Sequence, residues 1–479
     1  MKISRREFSS AYVFIKFINF LRFIKVSVNL RHYFSFTTVK NIELKRQKFQ
    51  FYNFTLERTK IVSQHYFKLI IASVLVALAS ALLAFTLKHL TEFFEHFLFQ
   101  KVSNSYSYLF IILPTVGITA IYFLRKYVFR NRRNKGITEI YKTLDQRKDH
   151  LPLFKIPSHF INGFLTVIFG GSTGVEVSTV VATATIGNYA YEQEFSARMY
   201  KRELICAGVV AGVAILFTSP LAGWLFAIEV IARKMRKSLV ISCTAAALIS
   251  WGFIYFFDSE TILHREVSDW KYAAIPFFII LSILGGTLSV YFTLMVTRMK
   301  KLFSNISNNF IRVNLGAIAV GTMIYFFPSL YGDSYHGLRE VLNEPLAVPS
   351  VSLFFLVAVA VLKPLAASLT LGAGGDGGVF APSIVAGAFL GLMVAFIGNS
   401  YFNVDLIPIN FALIGAAATL SASLYAPFTS VVLICNLLPG GFQLFLPILV
   451  CCFISFIVAK LILPYNVYTY DFYLSSKAP

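Results

Sequence analysis

Charge is scarce in this sequence. Asp, Glu, Lys and Arg make up 14% of its 479 residues, while 57% are hydrophobic. A soluble domain of this length cannot hide so much apolar surface. Residues 69–87, 107–124, 204–228, 238–257 and 272–297 carry no charged side chain. Neither do 377–404, nor the 54 residues of 406–459. Because roughly 20 apolar residues span a bilayer as a helix, these runs predict about nine or more membrane helices. The longest run must fold back at least once. Acidic residues are few as well, 23 against 43 basic ones, for a net charge of +20. On a soluble chain that excess would suggest nucleic acid. Here Lys and Arg crowd the loops of a multi-pass chain, where they mark the cytoplasmic side. No nucleic-acid partner is expected. The same basic residues raise the local concentration of anions at a pore mouth. Cysteine is sparse too. Cys206, Cys243, Cys435, Cys451 and Cys452 all lie in apolar runs without metal-ligand spacing, so neither a metal nor a cofactor is expected.

The alternation of an outer-membrane barrel is absent, which leaves an all-α membrane architecture. Residues 1–65 form a basic, aromatic extension. It reads as either an amphipathic segment lying on the inner leaflet or a poorly ordered tail. The membrane part occupies about 66–475. It opens with helices near 67–99 and 106–128, the second ending in Arg125, Lys126 and Arg130. That places the N-terminus in the cytoplasm.

Comparison of the chain with itself is more informative. GSTGVEVSTV at 171–180 matches GDGGVFAPSI at 375–384, which puts Glu176 on Phe380. SPLAGWLFAIEV from Ser219 matches APFTSVVLICNL from Ala426, and KGITEI at 135–140 matches HGLREV at 336–341. These in-order matches define two repeats, about 67–256 and 270–463. Repeated membrane halves, often inverted, place a substrate site at their interface near the bilayer midplane. Gly170, Gly171 and Gly174 break the chain in one half; Gly372, Gly374, Gly375, Gly377 and Gly378 break it in the other. New helices open at about 176–190 and 381–398, and their free N-terminal amides favour an anion. Neither break carries the GK[ST] ending of a phosphate loop. Close packing of helices is the plainer use of such glycines, but the breaks recur at matching places. Glu176 is the one acid in a segment otherwise uncharged from Ile156 to Tyr191. An ionisable group inside a membrane segment is a functional candidate. At a helix N-terminus its carboxylate can take the amides an anion would use, and protonation releases it. A simple capping role is the alternative. A membrane enzyme is not expected, because His159, the nearest candidate at 17 residues before Glu176, is not expected to pair with a second acid or nucleophile.

At these residues the chain resembles the CLC family of chloride channels and proton–chloride exchangers, over about 67–475. The family's GREGP segment is matched by Gly174-Val175-Glu176-Val177-Ser178, and its GxFxP segment by Gly378-Val379-Phe380-Ala381-Pro382. The GSGIP segment is matched poorly, by Asn134-Lys135-Gly136-Ile137-Thr138. Pro464-Tyr465-Asn466-Val467-Tyr468-Thr469 resembles the stretch that carries the family's pore tyrosine. The resemblance implies two inverted repeats with tilted, broken helices, a homodimer embedded in lipid in the cell membrane, and a path for chloride or a similar small anion. It implies Glu176 as gate. Lys135, Val175, Glu176, Val379, Phe380 and Tyr468 would be the anion-binding residues, with Gly174, Gly377 and Gly378 along the path. Lys135 replaces a serine; its ammonium either holds the anion or snorkels to the cytoplasm. Val230 stands where exchangers commonly keep an inner, proton-carrying glutamate. A gated, channel-like path is therefore the first expectation, and a proton-coupled exchanger its alternative.

Overall fold

The computed structural model describes residues 37–130, 132, 134, 136–145, 151–196, 199–258, 267, 269–343 and 352–477, with side chains from 62 onward except at 105, 343 and 475–477. Of the N-terminal extension expected at 1–65, residues 1–36 and the side chains to 61 lie outside the described residues, as does Lys135. Residues up to His65 form a unit of their own, helical where described; the body is Tyr66–Pro479.

The regular elements among the body's described residues are helices, joined by turns and one isolated backbone bridge. Its elements are α1 (Thr37–Ser105), α2 (Leu109–Phe123), α3 (Ile137–Asp145), α4 (Lys155–Ile168), α5 (Glu176–Glu192), α6 (Lys201–Leu216), α7 (Pro220–Phe226) and α8 (Lys237–Phe257). A second series follows: α9 (Ile275–Ser304), α10 (Asn309–Phe326), α11 (Tyr335–Asn343), α12 (Leu353–Ala373), α13 (Phe380–Tyr401), α14 (Pro408–Leu424), α15 (Pro427–Cys435) and α16 (Phe445–Ile462). α17 (Tyr470–Lys477) ends the chain. The two series correspond element for element, α1 with α9 through α8 with α16. Packing repeats too: α5 lies on α6 as α13 lies on α14, and α6 meets α8 as α14 meets α16.

Eight helices among the described residues are long and apolar enough to cross a bilayer. Shorter apolar helices, Pro220–Ala232 and Pro408–Leu424, stand beside them, because several apolar runs are broken. The run 406–459 folds back through three helices, α14, α15 and α16. Proline starts two of them, Pro408 and Pro427, where a missing N–H costs nothing. Pro220 opens α7 in the same way, behind Ser219, whose Oγ accepts from the Ala222 N–H at 3.3 Å. Leu75, Leu78 and Leu82 on α1, and Ile279 and Ile283 on α9, stay exposed on the body, as side chains that face lipid must be. The innermost helices are the reverse. α5 and α13 are buried on nearly every face. Their first residues therefore sit deep in the body.

Candidate functional site

Each repeat breaks by the same local device. α4 ends at Ile168, Gly170 takes φ +83°, and the Gly171 N–H turns back to the Thr166 carbonyl at 2.7 Å. In the second half Gly374 takes φ +113°, and the Gly375 N–H turns back to the Thr370 carbonyl at 2.9 Å. A side chain at Gly170 or Gly374 would be strained in that left-handed conformation.

The two breaks hold each other. The Ser172 N–H donates to Thr370 Oγ1 at 3.1 Å, and the Asp376 N–H donates to Thr166 Oγ1 at 2.9 Å. His159 Nδ1 lies 3.0 Å from the Asp376 carboxylate, and Lys363 Nζ donates to Ser172 Oγ at 2.9 Å. Residues 159 and 363, 166 and 370, and 172 and 376 are matched pairs at the offset that aligns Glu176 with Phe380. Each half thus reaches across to brace the other half's loop, and Gly174 pairs with Gly378 through the backbone at the centre. Lys363 is fully buried; besides Ser172 it donates to the Gly332 carbonyl at 2.8 Å and Ser334 Oγ at 2.7 Å. Three acceptors satisfy its three N–H groups.

Glu176 is the first residue of α5 and is 4% exposed. Its carboxylate folds back over Gly174, where a Cβ would overlap both oxygens. It lies against its own amide and the Ala381 amide in the first turn of α13, with Asp333 and Lys363 as its charged neighbours. Oε2 has no hydrogen-bond partner among the described residues. A cleft lined by Lys88, Glu92, Val175, Asp333 and Tyr335 opens beside it. Glu176 therefore stands between that cleft and the amides of the opposite repeat.

Those amides belong to the second break. Val379 caps α13, and its N–H donates to Tyr468 Oη at a long 3.4 Å. Tyr468 is buried, its approach fixed by Asn466, which accepts from the Tyr468 N–H at 3.1 Å and donates to the Leu424 carbonyl at 2.9 Å. Phe380 is fully buried between Phe217 and Phe226, ring centroids 6.3 Å and 5.4 Å away. Val177 packs on Gly378, and Thr173 packs on Gly377. Gly174, Val175, Glu176, Gly377, Gly378, Val379, Phe380 and Tyr468 thus meet at one place. Lys135 lies outside the described residues. Its neighbour Gly136 takes φ +62° and lies against Val177.

Val230 is buried in a π-helical turn, Ala227–Ala232, that continues α7. Its neighbour Glu229 is committed elsewhere. It accepts from the Phe428 and Thr429 amides at 3.3 and 2.8 Å and from Thr429 Oγ1 at 2.6 Å, capping α15 of the other repeat.

Sequence reasoning did not single out Lys363, Asp376, Asp333 or Tyr335. Lys363 had a signal: an ionisable residue inside an apolar span, at the repeat offset from His159. Asp333 and Tyr335 had none, because their place at the cleft depends on how α11 is laid across the core.

Helices broken at matching points of two repeats, around a buried site deep in an apolar body, define a multi-pass membrane protein of the repeat-built transport class. A family model described as voltage gated chloride channel matches residues 116–460, and the chain belongs to that family. Among its relatives, the "H(+)/Cl(-) exchange transporter ClcA" of Yersinia pestis bv. Antiqua (strain Angola) is 24% identical over 406 residues, 82% of this chain and 84% of the relative. The "Chloride channel protein CLC-f" of Arabidopsis thaliana is 28% identical over 310 residues, 60% of this chain; the match spans only 39% of the plant protein's length. The fold matches the crystal structure of a CLC-type fluoride/proton antiporter, with a TM-score of 0.71 and 21% identity over 84% of this chain and 96% of that one. A slow cyanobacterial Cl−/H+ antiporter gives 0.72 and 21% over 86% and 98%.

Proposed function

We propose that the chain exchanges chloride or a similar small anion for protons, with Glu176 as the group that serves both. One observation carries the reading: a buried carboxylate seated on its own amide and on the Ala381 amide, in the first turn of the opposite repeat's α13. Deprotonated, Glu176 holds the positive end of α13 that an anion would otherwise occupy. Protonated, it has less to gain there and yields the amides. Anion entry is then tied to proton uptake at one residue. Val175, Val379 and Phe380 would supply backbone groups. The long Val379–Tyr468 contact is weak enough for an anion to replace, taking the amide and the hydroxyl together. Gly174, Gly377 and Gly378 would keep the path free of side chains.

The channel-like path first expected from Val230 is the less supported reading. The Yersinia pestis relative, covered over 84% of its length, is named as an exchanger, and two similar folds are titled antiporters. The reversal potential of the purified protein in a bilayer, at fixed chloride and across a pH gradient, tests the choice. Exchange predicts a shift with the pH gradient; a potential set by chloride alone would contradict it.

A further inference from the structure

An exchanger needs a proton route on the side of Glu176 away from the cleft, because both sides must reach the site in turn. Position 230 is a valine, and Glu229 is spent on capping α15. Resting on the exchange reading, we propose that the buried His159–Asp376 pair is the proton relay for that side.

The pair has the form of an oriented base. His159 is fully buried, and its Nδ1 faces the Asp376 carboxylate, 3.2 Å from Oδ1 and 3.0 Å from Oδ2. A carboxylate on Nδ1 fixes the proton there and leaves Nε2 as the acceptor. Nε2 has no hydrogen-bond partner among the described residues. A buried imidazole nitrogen so placed is costly unless water reaches it.

It is not alone. Asn162 Oδ1, Thr173 Oγ1, Ser178 Oγ and Glu176 Oε2 are buried and unpartnered as well. His159, Asn162 and Thr166 share one face of α4 by their spacing of three and four residues. Ser178 lies against Gly163 of that helix, two residues past Glu176. Asn162 is tied through Ser158 to Asn134 by bonds of 3.2 and 2.9 Å, and Asn134 also reaches Asp376 at 3.4 Å. The unsatisfied groups therefore form a polar seam from the Asn134–Arg125 end to the first turn of α5. Water in that seam would satisfy them and carry protons. Bonding partners of this kind are what an apolar helix face lacks.

The charged groups around the pair are few. Arg125, at the end of α2, lies 3.9 Å from Asp376 and donates to the Gly374 carbonyl at 2.8 Å; Arg312 of α10 lies beyond it. The Lys155–Glu139 pair joins the start of α4 to α3. The step itself is a proton transfer. A protonated water (hydronium) entering at the Arg125 end gives a proton to Nε2: one of its O–H bonds breaks, leaving neutral water, as an N–H bond forms and makes an imidazolium that Asp376 balances. The N–H then breaks as the proton passes through seam water to the Glu176 carboxylate, which becomes neutral. No other electron pair moves.

The test uses the full chain in liposomes, with chloride and proton fluxes recorded together. Wild type should move both. His159→Gln and Asp376→Asn should keep chloride flux and lose proton flux by about tenfold or more. A seam variant that leaves the pair intact, Asn162→Leu with Ser178→Ala, should do the same. Unchanged proton flux in the seam variant would overturn the relay while exchange stands; so would unchanged proton flux in His159→Gln. If His159→Gln loses chloride flux as well, the seam variant decides. A wild-type protein that moves chloride without protons would sink exchange and relay together.

Discussion

Glu176 and Phe380 occupy matched positions in the two repeats, yet their chemistry differs. Phe380 can offer only its backbone, since its ring is packed between Phe217 and Phe226. Glu176 offers a charge that can be switched off. Glu176→Gln should therefore pass chloride down its gradient while moving no protons, and its flux should not change between neutral and acid pH. In wild type the flux does depend on pH: acidification frees the amides, so anion flux rises as pH falls. Paired flux recordings at two pH values check both. Tyr468→Phe removes the one hydroxyl beside the Val379 amide. Loss of a hydrogen bond to an anion should weaken chloride binding by about tenfold, readable by calorimetry. These residues were visible in the sequence because each sits in a motif or breaks an apolar run. Lys363 left a signal as a charge inside an apolar span, but its use and that of Asp376 were not legible, since their meaning lies in contacts made with the other repeat.

The cross-brace belongs to the scale of the helix break. Thr166 and Thr370 each turn one break and cap the other's loop. Thr370→Val would leave the buried Ser172 N–H without its partner, at a cost of about 1–3 kcal/mol, seen as a lower melting temperature in detergent. Thr166→Val should behave alike, and the double variant should cost less than the sum, because both act on one bracket. The helices themselves were largely legible. Helices predicted near 176–190 and 381–398 run Glu176–Glu192 and Phe380–Tyr401. Glycine clusters, first-turn prolines and uncharged runs are local signals, so they survive in sequence. How many helices cross straight was not legible, because a run of apolar residues does not record where it tilts or turns back. Nor was the use of Glu229, whose partners Phe428 and Thr429 come from the other repeat.

At the scale of the molecule, two eight-helix series close around one braced centre. The family resemblance implies a homodimer in the cell membrane with one path per subunit, and the basic residues at both ends of the first hairpin predict a cytoplasmic N-terminus. Cross-linking in native membranes should give a band at twice the subunit size, and a reporter fused to the N-terminus should read cytoplasmic. The central claim is that one carboxylate couples anion to proton. It is tested most directly by liposomes with an acid interior and equal chloride on both sides. The account predicts that the outward proton gradient drives chloride inward against its own rising gradient, and that Glu176→Gln abolishes this uptake. Chloride that only equilibrates in the wild-type protein, whatever the pH gradient, would contradict it.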